Sequence, residues 1–87
     1  MNKYEERYQA AVIADAKVVA ELLGVTPVDI EYNYMSTVWM WLGPQHTDRV
    51  EVVGGDKFVV GDADVVAKHN LPGSWFPFSG NTQKLTL

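Results

Sequence analysis

The stretch "TPVDIEYNYMSTVWMWLG", Thr26 to Gly43, admits two readings, and the fold follows from the choice between them. Thr26 and Pro27 look like an N-cap and a first-turn proline, which would open a second helix. Against a helix stand the density of β-branched and aromatic residues and an alternation of Val28, Ile30, Tyr32 and Tyr34 with Asp29, Glu31 and Asn33. That period of two is the mark of a half-buried strand, so strand is the favoured reading. The segment is long for one strand, and a turn or bulge near Asn33 to Ser36 is expected to divide it into two antiparallel strands.

Within "VWMWLGP", Val38 to Pro44, a strand puts Trp39 and Trp41 on one face with Met35 and Thr37, and Val38, Met40 and Leu42 on the other. Both faces are therefore apolar. One helix can cover only one face of a small sheet, so the second must be covered from within the chain or left to a partner. The internal candidate is the C-terminal run "SWFPF", Ser74 to Phe78, folding back over Trp39 and Trp41.

Upstream, Asn2 is a plausible N-cap with Glu5 three positions on, close to a capping box. Tyr4, Tyr8, Val12, Ala16, Val19 and Leu23 then recur at helical spacing, and Gly24 and Pro27 mark the end. A helix is predicted from Asn2 or Lys3 to Leu23. Downstream, "GPQHTD" breaks both periodicities and reads as a loop.

"RVEVVGGDKFVVGD" is a β-hairpin signal. With Gly54 to Lys57 as its loop, Val53 faces Phe58, Val52 faces Val59, Glu51 faces Val60 and Arg49 faces Asp62; a two-residue Gly54-Gly55 turn would shift that pairing. Asp62 or Asp64 can cap a short helix through "VVAKHN", stopped by Leu71-Pro72-Gly73. The tail "SWFPFSGNTQKLTL" has two prolines nearby, which excludes it as a central strand, yet its aromatic residues are too apolar to stay in water and must dock.

The expected fold is a two-layer α+β domain spanning residues 1–87: a long N-terminal helix on a three- or four-stranded antiparallel sheet, with a short second helix and the aromatic C-terminal segment closing one edge. That order of elements is shared by many unrelated small domains, and no motif points to one family.

Composition narrows the function classes. Eleven acidic against seven basic residues give a net charge of −4, which disfavours nucleic-acid phosphates as the main partner because those call for a basic stripe. Absence of cysteine removes disulfides and thiolate metal sites, and the charged "MNKYEERYQA" lacks the apolar core of a signal peptide. No run of residues is apolar enough for a membrane span, so a cytoplasmic protein without membrane contact is expected.

Catalytic and metal signals are weak. Asp56, Asp62 and Asp64 lie close together, but a calcium loop needs more oxygen ligands, including a bidentate Glu, and turn and cap chemistry accounts for all three. His46 and His69 are too few for a three-histidine zinc site, and no nucleophile stands out among Ser36, Ser74 and Ser79. The "VVGGDK" glycines lack the spacing of a phosphate cradle.

The leading expectation is therefore a non-catalytic protein-binding module without a cofactor, such as the small inhibitors and accessory factors that mobile elements and phages encode. Its contact surface would be led by Trp39, Trp41 and Trp75, with Tyr32, Tyr34 and Phe76 adding area, because tryptophan and tyrosine are enriched at binding hot spots. A homo-oligomeric subunit using the same surface on itself is the alternative. A small enzyme or ligand binder near His46 and the Asp56, Asp62 and Asp64 group comes third.

Overall fold

The N-terminal helix begins and ends where its caps direct. A computed structural model describes residues 2–54 and 57–87, and in it α1 runs from Lys3 to Leu23. The Asn2 side chain accepts a hydrogen bond from the Glu5 backbone N–H, and Gly24 turns the chain out through the left-handed region at φ 70°. No helix among the described residues is long and apolar enough to cross a membrane.

The helix is longer than the sheet beneath it. Its 21 residues span about 31 Å at 1.5 Å each, whereas the longest strands, of seven residues, span about 23 Å. Only Val12, Ala16, Val19, Ala20 and Leu23 are consequently buried. Tyr4 and Tyr8 share the helical period but project past the sheet, 82% and 47% exposed, so the stripe read from the sequence is core only from Val12 onward.

Thr26–Gly43 resolves into strands. β1 covers Asp29–Tyr34 and β2 covers Thr37–Gly43, joined by a turn at Met35 and Ser36, inside the segment where one was expected. Ile30 pairs with Met40 and Tyr32 with Val38, after which a bulge shifts the register and takes Tyr34 out of the alternation.

β3 (Thr47–Val53) and β4 (Phe58–Asp62) form the expected hairpin, pairing Val53 with Phe58, Val52 with Val59 and Glu51 with Val60. This register fits the four-residue loop and not the Gly54-Gly55 turn; Gly55 and Asp56 themselves lie outside the described residues. The anticipated Arg49–Asp62 pair does not form. The ladder ends at Val50 and Gly61, and the Arg49 guanidinium lies 3.3 Å from Glu51 and over the Trp39 ring instead. A desolvated aromatic face beside a carboxylate offers a guanidinium more than one exposed ion pair does.

Among the described residues the sheet has six strands in the order β1-β2-β3-β4-β6-β5, more than the three or four expected. After the short α2 (Ala63–Lys68), β5 (Trp75–Pro77) takes the far edge and β6 (Thr82–Thr86) returns between it and β4. Excluding the tail from the sheet interior was therefore wrong for its last five residues of strand. The two prolines bar only the part that holds them: Pro77 sits in the edge strand, while "TQKLT" contains none and pairs on both sides.

The core lies between α1 and one face of the sheet. Val38, Met40, Val50, Val52 and Val59 have no exposed surface, and Leu85, Val65, Val66 and Leu71 complete the cluster. Gly61 faces the same way and brings β4 close to its neighbours, since a Cβ there would meet Val50 at 3.1 Å and Val66 at 3.5 Å.

Candidate functional site

Strand alternation decides which residues are left facing away from α1. Because Val38 and Met40 enter the core, Trp39 and Trp41 must point to the opposite side, next to Glu51 and Arg49 of β3, their direct neighbours across the ladder. Neither helix packs on this side. The "SWFPF" segment does not cover it either, since β5 lies four strands from β2.

The two indoles are half-buried by small contacts from their own chain. Their rings meet edge to face, with centroids 6.0 Å apart. His46 lies flat on Trp41 at 4.7 Å, and its Nε2 donates to the Asp29 carboxylate at 2.8 Å, which ties the β2–β3 turn to the start of β1. On the other flank the Arg49 guanidinium rests 4.3 Å from the centre of Trp39 and 5.7 Å from that of Trp41. Both Nε1 groups are shielded, and neither has an acceptor among the described residues. A finished core pairs its indole N–H groups. This cluster does not.

A second ring-and-cation cluster occupies the far end of the same face. The Lys84 ammonium lies 4.5 Å from the Phe58 ring and 5.8 Å from Phe78, and Phe76 pairs with Lys84 across the β5–β6 ladder. Phe76 and Phe78 are both exposed. Between the clusters Trp41, Arg49, Glu51, Val60, Asp62 and Thr82 border a shallow hollow of about 250 Å³.

The six candidate contact residues do not share one surface. Trp39 and Trp41 stand together on the helix-free face, Tyr34 is exposed at the β1 edge beyond the bulge, and Phe76 lies on that face at the opposite edge. Trp75 and Tyr32 point to the helix side and pack against the core, where Trp75 Nε1 donates to the Pro72 carbonyl at 3.0 Å. Arg49, His46, Phe58, Phe78 and Lys84 belong to the face and were not singled out for it. Arg49 and His46 carried a usable signal: a cation opposite an aromatic strand and a histidine in the adjoining turn.

The third-ranked group of His46 with Asp56, Asp62 and Asp64 is not assembled among the described residues. His46 is held by Asp29, Asp62 serves as N-cap of α2 without bonding through its side chain, and Asp64 accepts from Asn81 Nδ2 at 3.4 Å. No group of three or more potential metal ligands occurs among the described residues. His69 joins a separate clasp: it and Lys68 both donate to Asp48 Oδ2, at 2.9 Å and 2.8 Å, fastening α2 to β3. Lys68 first, then His69, hold the Asp48 carboxyl below its ordinary range.

Set against family models, curated proteins and solved structures, the chain matches none of them, so the reading of this face rests on its own geometry.

Proposed function

We propose that the chain is a non-catalytic protein-binding module that docks through the helix-free face of its sheet, with Trp39 and Trp41 at the centre of the contact. The observation that carries this reading is the placement of both indoles opposite α1, where among the described residues neither helix nor "SWFPF" lies over them and their cover is local, from His46 and Arg49. Aromatic residues and arginine together are what interface hot spots are made of. Phe58, Phe76 and Phe78 extend the apolar surface toward the far edge, with Lys84 among them.

Docking by the face is favoured over strand addition at an edge. β1 carries Asp29 and Glu31 and ends in a bulge, and β5 has only three residues, one of them Pro77. These are the features that blunt a sheet edge against another strand. On size and acidity we assign the module to the inhibitor or accessory-factor type, acting in the cytoplasm.

Affinity capture from the native host with the wild-type chain and Trp41→Ala tests the proposal. Wild type should retain a partner that the folded variant loses; equal capture by both would remove the tryptophan pair from the contact. A second copy is the alternative occupant, because the face carries both signs of charge, Arg49 and Lys84 beside Glu31 and Glu51. Light scattering across a dilution series separates the two: a mass that stays monomeric at high concentration eliminates self-association.

A further inference from the structure

The overhang of α1 leaves a groove at the other end of the molecule, on the helix side of the sheet and apart from the tryptophan face. Glu5 lies seven residues, or two helical turns, before Val12, so the carboxylate falls on the stripe that elsewhere faces the core. There Tyr4, Glu5, Tyr8 and Gln9 of the helix and Tyr32 of β1 line an open hollow of about 520 Å³.

Three tyrosines and one carboxylate lining the same hollow make a site suited to positive charge. Each ring offers a negative face to a cation, and the carboxylate supplies the counter-charge. None of the lining residues is cationic, and the described hydrogen-bond partner of the Glu5 carboxylate is the exposed Asn2 amide at 3.3 Å. Glu6 adds a further acid in the same helical turn, and the chain as a whole carries −4. Partial burial, then Tyr8 and Glu5, raise the Tyr32 phenol, in keeping with a crowded, negatively biased pocket.

We infer that this groove binds an arginine side chain presented by a basic partner polypeptide, its guanidinium stacked on Tyr8 and Tyr32 and hydrogen-bonded to Glu5. Arginine fits better than a compact ammonium because a flat guanidinium can lie on a ring and still direct two N–H groups at a carboxylate. The molecule makes both contacts once already, with Arg49 on Trp39 and Glu51. A polypeptide fits better than a free cation because the hollow is open and Tyr4 is mostly in solvent. A small ion would be held on one side only, whereas a peptide adds contacts along Gln9 and the helix.

The test is an NMR titration of the full chain with the peptide Ac-Gly-Arg-Gly-Arg-Gly-NH2 and with its citrulline analogue, which keeps the shape and removes the charge. The arginine peptide should move the Tyr8 and Tyr32 ring signals saturably and leave the Trp39 and Trp41 signals in place. Citrulline and Glu5→Gln should each weaken binding by about tenfold. Tyr8→Leu, at a half-exposed helical position that tolerates leucine, should abolish it. Equal binding of the citrulline peptide, no movement of the tyrosine signals, or equal movement with methylguanidinium alone would each overturn the inference. So would a Glu5-dependent dimer in light scattering, which would make a second copy the occupant.

Discussion

On its helix side the sheet shows Val38, Met40, Val50, Val52 and Val59, sealed from water; on its other side the intervening residues of the same strands show Trp39, Trp41, Arg49, Phe58 and Val60, partly wet. The first set is aliphatic, and aliphatic groups contribute only when solvent is excluded, at about 1.5–3 kcal/mol for each large side chain fully buried. The second set pairs rings with cations. Arg49 and Lys84 lay their charged heads on aromatic faces while keeping some hydration, so these rings are partly covered without being sealed from water. One face is complete in itself. The other tolerates water and leaves apolar ring surface accessible.

The sharpest way to break this comparison is to remove one residue from each face. Met40→Ala, at a position with no exposed surface, should cost about 2–5 kcal/mol and lower the thermal midpoint by roughly 10 °C or more. Trp39→Ala should cost about 1–2 kcal/mol, because part of its ring is already in water. Equal losses in calorimetric melts would make the open face a second core.

Binding should show the reverse ranking. Trp41→Ala is expected to weaken partner affinity by about 2 kcal/mol or more, as read by isothermal titration against the captured partner. A destabilised but folded Val52→Ala chain should bind as wild type does, since Val52 lies on the covered side.

Gly24→Ala probes the covered face through its helix. The residue holds φ 70°, where an alanine is strained, and the urea midpoint should report a loss of about 1 kcal/mol with partner affinity unchanged.

Acid should loosen the corner where α2 is fastened. Asp48 has its folded-state pKa lowered by Lys68 and then His69, so its contribution is complete above the ordinary aspartate range and is lost as pH falls through that lowered value. Asp48→Asn should flatten this part of the acid side of a stability–pH curve measured by urea melts. The smallest expected effect is that of Arg49→Ala, a few tenths to about 1 kcal/mol, accompanied by stronger acrylamide quenching of tryptophan fluorescence.

Legibility in the sequence follows the distance over which each contact acts. The α1 caps, the turn at Met35 and Ser36, the β3–β4 register and the opposed faces of β2 are set by residues within a few positions of one another, and each was readable. Tyr4 and Tyr8 misled because periodicity gives the direction of a side chain and not how far the opposing layer extends. The tail misled for a related reason: a proline rules on its own strand, and Pro77 says nothing about Thr82–Thr86 a turn later. His46 and Asp29 are 17 residues apart and Asp48 and His69 are 21 apart, separations at which spacing carries no signal.

By itself, the order of residues determined the helix, its ends, the strand alternation and hence that Trp39 and Trp41 would stand opposite Val38 and Met40. Only the assembled sheet decided that β6 would slip in beside β4, that "SWFPF" would finish at the far edge and that this segment would therefore not cover the indoles. The reason is physical. Local geometry follows from sterics and hydrogen bonds between near neighbours, whereas strand order is chosen by which distant segments bury the most surface when all of them are packed at once.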